Sequence, residues 1–355
     1  MKYVINCIRV VVGIIFIISG LVKLNDPVGF AIKLEEYFSK PVLNMPVFEP
    51  FAMAIGILVC ITEVTLGVML LVGYLKKLTL WLLIAMTVYF GFLTFYSAYF
   101  NKVTDCGCFG DAIKFTPWQS FWKDIILLVG LLILWIGYRK EKEQKNKLAL
   151  AFFFIGLLGT IVITSAGIYG EPLIDFRDYK IGTDLNAERK KIEKNPAEYK
   201  TYYTLKNTKT GEEKEANQDD YVNKQEYWEE GTPWEIIEDK TISKLVKEGY
   251  KSEISKFKLS DKDENDATEE ILNKEKVILI FSYNPKEIKD YSAKISELKK
   301  KNSEIYGVSP EGDTFKGLTN FSMDGTAIKT IARSNPFVLV LEKGKIVDKQ
   351  PLKNY

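Results

Sequence analysis

The chain has 355 residues, a formal net charge of +2 and no histidine. That near-neutral balance gives no reason to expect a nucleic-acid partner. The missing imidazole excludes Ser-His and Cys-His catalysis and histidine metal sites, which leaves Cys, Asp, Glu, Lys and Tyr for any redox or acid–base chemistry.

Length allows two or three folding units, and composition marks the boundary between them. Residues 1–170 hold nearly all the long apolar runs, whereas 171–355 are dense in Lys, Glu and Asp. A run of about 20 apolar residues crosses the hydrocarbon core. Five stretches qualify, near 3–22, 50–73, 78–98, 118–138 and 148–169. The first ends in "IISGLVKLNDP" without a small-x-small cleavage site, so it reads as a retained span rather than a signal peptide.

Lys and Arg in short loops set orientation. "YLKK" (74–77) and "RKEKEQKNK" (139–147) are basic, while the 23–49 and 99–117 loops hold fewer net positive charges. The N-terminus is therefore expected in the cytoplasm, with the 23–49 loop, the 99–117 loop and everything after residue 170 outside it. In the 23–49 loop, Asp26 is placed to cap a helix with Pro27 at its first position. Phe30, Leu34 and Phe38 then recur at helical spacing, giving a stripe suited to the bundle or the membrane surface.

Two charges interrupt the spans. Arg9 and Glu63 are expensive at such depth. Measured at the helical rise from the cytoplasmic ends of their spans, they lie about 9 Å and about 15 Å in. An Arg9–Glu63 ion pair between the first two spans is the expectation. Cys60, one turn from Glu63, reads as a small packed hydrophobe.

"DCGCFGD" (105–111) puts Cys106 and Cys108 one residue apart in a glycine-rich loop, at the oxidising side on this topology. Three chemistries stay open. A disulfide across one residue is strained and therefore exchangeable. A static disulfide or unpaired thiols would stabilise little, because the closed loop is so short. A zinc site would need ligands from another chain, and no metal site is expected. Gly107 and Gly110 permit unusual backbone angles beside the cysteines, with Asp105 and Asp111 flanking them.

These residues carry a resemblance. "SGLVKLNDP" (19–27), the glutamate Glu63 in the second span, and "DCGCFGD" before the fourth resemble the DoxX/MauE-like bacterial membrane family over residues 1–140. The resemblance implies a four-helix transmembrane domain related in architecture to quinone-linked disulfide-forming proteins. It also implies a role in disulfide formation or maturation of an exported partner, with Cys106 and Cys108 as the redox pair. A quinone or a partner thiol oxidoreductase would take the electrons, although the chain has no C-x-x-C inside the membrane. Residues 141–170 supply a fifth span.

Residues 171–250 read as an extracytoplasmic connection. "KTYYTLKNTKTGEEKEA" (200–216) alternates like a hairpin about a Thr-Gly turn, and Trp228 and Trp234 bracket a Gly-Thr-Pro turn. From 251 onward strands alternate with helices. "ISKFKLS" is expected as a strand, "ATEEILNK" as a helix capped near Asp266, "KVILIFSYN" as a buried strand and 286–301 as a helix. "SEIYGVSP" is a second buried strand, 325–334 a helix and 335–349 a hairpin, together an α/β layered sheet. "YGVSP" and "SNPFVLVLEKGKIV" resemble thioredoxin and peroxiredoxin domains, which implies that Pro336 is the cis proline. Where that resemblance implies reactive cysteines, this chain reads "PKEIKDYS", and 171–355 contain no cysteine. A thiol–disulfide step needs a thiolate, so this domain is expected to dock exported clients rather than react.

Three functions compete on the sequence. The first is a redox-linked bacterial inner-membrane factor for exported proteins, and the second a non-enzymatic scaffold of an envelope complex. The third is a small-molecule or proton-coupled carrier using Glu63.

Overall fold

The structure, a computed structural model, describes residues 2–103, 107–141, 147–287, 291–301 and 304–355. Asp105 and Cys106 lie outside the described residues. Helix α1 (Lys2–Asn25) is followed by the short α2 (Pro27–Phe38), then α3 (Ala52–Val72), α4 (Lys76–Phe100), α5 (Pro117–Tyr138) and α6 (Lys147–Tyr169). Five of these stretches are long and apolar enough to cross a membrane, matching the five expected spans, and the chain is a multi-pass membrane protein.

Helix α1 runs along α3, and α4 along α5. Small residues permit the first contact. A Cβ on Gly20 would lie 2.5 Å from Val64, and one on Gly67 2.8 Å from Ile17. Lipid offers no hydrophobic drive between helices, so close backbone approach is what joins them. Asp26 caps α2 as expected, accepting from the Gly29 amide with Pro27 at the first position. Phe30, Leu34 and Phe38 pack into the bundle with Leu24, Cys60 and Val64 rather than on the membrane surface.

Beyond the membrane come α7 (Leu185–Lys194) and a small sheet. The expected hairpin forms as β1 (Glu198–Asn207) and β2 (Glu213–Asn217). After α8 (Gln218–Asn223), β3 (Trp234–Ile236) and β4 (Ile242–Lys247) add to the other edge of β1. The second sheet follows with α9 (Thr268–Leu272), β5 (Val277–Phe281), α10 (Ser292–Lys301), β6 (Ile305–Ser309), β7 (Thr319–Ser322), α11 (Gly325–Ile331), β8 (Phe337–Glu342) and β9 (Lys345–Pro351). Its order is β7-β6-β5-β8-β9, with β5, β6 and β7 parallel and β8 and β9 antiparallel. This is an α/β layered sheet, as expected, and the Asn335–Pro336 peptide is cis.

Strand β5 is apolar at every position because both faces are covered. Val277, Leu279 and Phe281 join one core, Ile278 and Ile280 the other. "ISKFKLS" is corrected: it forms a 3-10 turn at Glu253–Lys256 and only isolated bridges at Ser260. Ile254, Phe257 and Leu259 bury at a spacing that does not alternate. Part of the stretch expected as a connection also belongs to this core, since Tyr179 and Leu185 are buried within it. The backbone of 182–185 bonds to Gly344 and Ile346.

A buried charge network fixes the stretch leaving the membrane. Arg177 donates to Asp175 and Glu171, while Lys349 donates to Asp175 and to the Tyr179 and Ile331 carbonyls. Burial alone would raise the Asp175 carboxyl, but hydrogen bonds and charge from Arg177, then the charge of Lys349, outweigh it and hold it down at about 2. Burial and the like charge of Arg177 bring the Lys349 ammonium down to about 8, so it remains charged at neutral pH.

A folded-state value below the ordinary carboxyl value of about 3.9 means that the Asp175 contribution is present above about pH 4 and fades toward pH 2. Discounted for partial exposure, it is worth about 1–2 kcal/mol. Amide exchange in β9 is expected to accelerate over that window and to be already fast, and less acid-dependent, in Asp175→Asn. Equal acid profiles for the two proteins would remove this network from the stability account.

Candidate functional site

The expected Arg9–Glu63 pair does not form. Glu63 instead meets Lys23, with Nζ 2.5 Å from Oε2 and both side chains buried. Arg9 lies near Gly73, ten positions beyond Glu63 on α3, or about 15 Å along the helix. Its Nε is buried without a hydrogen-bond partner among the described residues. The expectation took the two helix ends as level, but α1 and α3 are staggered, with Gly13 opposite Gly67 and Gly20 opposite Cys60 and Val64. Helical side chains lean toward their own N-terminus. In this antiparallel pair Lys23 therefore reaches down and Glu63 up, and the two meet.

Lys23 is held between the rings of Phe30 and Phe90, 5.4 and 5.2 Å from their centroids. The contact with Glu63 is an ion pair of poor hydrogen-bond direction, since Glu63 Oε2 has no hydrogen-bond partner among the described residues. A second intramembrane pair sits on α5. Lys123 Nζ is 2.8 Å from Asp124 Oδ1, and Thr94 donates to Asp124 Oδ2 at 3.2 Å. Both acids are almost fully buried. "WKD", one turn inside the fourth span, was the available signal for this pair, and Lys23 stood within the motif that closes the first span.

Lys23, Glu63, Lys123 and Thr94 line a cavity of about 40 Å³ that Ser19, Tyr37 and Cys108 also line. Ser19 Oγ donates to the Cys108 carbonyl at 2.9 Å, fixing the loop over the end of α1. Gly107 and Gly110 take φ of +65° and +50°, the left-handed region that the sequence anticipated. Of the expected site residues, Glu63 and Cys108 come together at the cavity, Gly107, Gly110 and Asp111 lie on the loop beside it, and Arg9 stands apart.

Above the loop a vestibule of about 280 Å³ separates the bundle from the α/β domain, and Lys23, Phe30 and Lys33 line both spaces. Arg333, in the turn before Pro336, closes one side. Its guanidinium donates to Asp26 from Nε at 2.8 and 3.0 Å, while Nη2 lies 2.8 Å from the same carboxylate and donates to Asp111 at 2.9 Å. Glu171 accepts from the Arg333 and Ser334 amides and from Ser334 Oγ. Asn25 exchanges two bonds with the backbone of Ile174. Asn25 and Asp26 of "LNDP" and Asp111 of "CGCFGD" are thus the attachment points of the α/β domain.

A hydrogen-bond lock ties the residue before Pro336 to the end of β5. Ser282 Oγ and the Tyr283 amide donate to Asn335 Oδ1, and Asn335 Nδ2 donates to the Asn284 carbonyl.

Residues 1–137 match the model of a family described as methylamine utilisation protein MauE. Protein TlpB of Flavobacterium psychrophilum is 30% identical over 150 residues, covering 41% of this chain and 40% of that protein. The chain thus spans less than half the length of that relative. No solved structure matches it. The membrane region is therefore similar to MauE, as its motifs led one to expect, and is followed by an α/β domain.

Removing one partner of a buried ion pair strands the other charge, at roughly 3–5 kcal/mol by the soluble-protein scale. Glu63→Ala is expected to lower the melting temperature of the detergent-solubilised protein. Adding Lys23→Met should recover much of the loss, because the pair is then replaced as a whole. A double variant no more stable than Glu63→Ala would overturn the pairing.

Proposed function

We propose that the protein is a thiol–disulfide factor of the bacterial inner membrane that assists disulfide formation or maturation of exported proteins. Cys106 and Cys108 are its redox pair, and a quinone or a partner thiol oxidoreductase exchanges electrons with them. The observation that carries this reading is the position of Cys108. It lines a cavity inside the bundle that Lys23, Glu63 and Lys123 also line, beneath a vestibule roofed by an α/β domain that has no cysteine of its own. Nucleophilic thiol chemistry needs such a confined, charge-lined setting more than a structural cysteine does.

On this reading the α/β domain is a cap. Its turn before Pro336 is engaged by Asp26, Asp111 and Glu171, so a client reaches Cys108 through the vestibule or after Arg333 lets go. The scaffold reading is favoured by the same attachment, since a domain so firmly held suits a docking platform, and the two readings differ in whether the thiols are required. The N-terminus lies in the cytoplasm and residues 171–355 outside it, as the basic 74–77 and 139–147 loops support.

Alkylation trapping in intact cells is expected to show both oxidised and reduced forms of the pair, shifting when a reductant is added. A Cys106→Ser, Cys108→Ser double variant should accumulate normally yet fail to complement a deletion. Full complementation would leave the scaffold reading in its place.

External protease added to spheroplasts should remove the α/β domain without lysis. Digestion only after lysis would reverse the topology.

A further inference from the structure

Cys108 shares its cavity with charged groups from several helices. Lys23 comes from α1, Lys33 and Tyr37 from α2, Glu63 from α3 and Lys123 from α5, while α4 contributes the uncharged Phe90, Leu93 and Thr94. The three lysines are not equivalent. Lys23 is buried and committed to Glu63. Lys33 lies 3.4 Å from Glu36 and lays its stem against Gly107. Lys123 differs in where its ammonium sits, over the ring of Phe109, the residue after Cys108, at 5.5 Å from the centroid, so it faces the loop that carries the thiol.

We propose that Lys123 is a positioning residue that holds Cys108 as its thiolate for disulfide exchange. This rests on the thiol–disulfide reading above. Only the thiolate attacks, and a neighbouring ammonium stabilises it relative to the thiol. A membrane face otherwise disfavours the anion, because desolvation opposes any charge. Asp124, which itself accepts from Thr94, holds the Lys123 ammonium in place. In the step itself, the Cys108 proton leaves to water in the vestibule. The Cys108 thiolate then attacks one sulfur of a client disulfide, forming the Cys108–client mixed disulfide and breaking the client S–S bond. The client thiolate released takes up a proton, Lys123 stays protonated throughout, and no outside oxidant is consumed. Glu63, which also lines the cavity, is an opposing charge, as is Asp124 beside Lys123. The commitment of Glu63 to Lys23 limits its effect on the sulfur.

The test uses the full-length protein in nanodiscs, reduced with a phosphine and alkylated with iodoacetamide across a pH series. Peptide mass spectrometry reads the Cys108 adduct. The wild-type midpoint is expected below the ordinary thiol value of about 8.5. Lys123→Gln should raise it by about one unit, slowing alkylation at neutral pH about tenfold, and Lys123→Arg should restore it. A wild-type midpoint at or above the ordinary value overturns the proposal without any variant, which covers a Lys123→Gln protein that fails to fold. An unchanged midpoint in a well-folded Lys123→Gln protein overturns it as well. The redox reading fails separately, through complementation by the double serine variant, whatever the midpoint.

Discussion

Everything above the membrane hangs on one guanidinium. Arg333 gathers two carboxylates that are 85 positions apart in the chain, Asp26 where α1 gives way to α2 and Asp111 in the loop before α5, and fixes both to the turn ahead of Pro336. An arginine fork suits this task because its donors are planar and rigidly spaced, so two acids are held in a defined geometry. The contact is mostly sheltered from water, with Arg333 only 9% exposed, so it is less screened than a surface ion pair. Glu171, Asn25 and the Arg177–Asp175–Lys349 network extend the same attachment along the stretch leaving α6.

Inside the bundle the governing constraint is the expense of charge in a low-dielectric medium. Each intramembrane acid has a lysine partner nearby, Glu63 with Lys23 and Asp124 with Lys123, and both pairs sit toward the end that carries the loop. Toward the opposite end of the bundle lies an apolar core of Leu70, Leu80, Leu131 and Leu134, with Arg9 near Gly73. The result is a charge-lined cavity beside the glycine-rich loop, with the α/β domain bounding the vestibule above it. That layering is what the proposed thiol chemistry uses.

In the α/β domain the end of β5 is tied to the turn before Pro336, where Ser282 and the Tyr283 amide donate to the Asn335 side chain. A hydrogen-bonded lock of this kind suits a permanent fixture better than an exchanging site. It makes the turn before Pro336 rigid enough to present Arg333 and Ser334 to the bundle. The client-docking face expected for this domain is thus partly spent on an internal contact.

The spans, the cap of α2, the buried strands β5 and β6 and the β8–β9 hairpin were legible because each is written in local periodicity and turn chemistry. Short, polar β7 and the turn at Glu253–Lys256 were not, since their form is imposed by neighbours in the sheet. The motifs "SGLVKLNDP" and "DCGCFGD" announced where chemistry or attachment would lie, but not what Lys23, Asp26 and Asp111 would touch. Sequence alone determined that charges would be buried in the membrane and that the only cysteines outside the spans lie in one loop. Which lysine met Glu63, and which arginine joined Asp26 to Asp111, was decided by tertiary structure. Pairing depends on the stagger of α1 against α3 and on contacts across hundreds of residues, and neither helical periodicity nor composition carries that distance information.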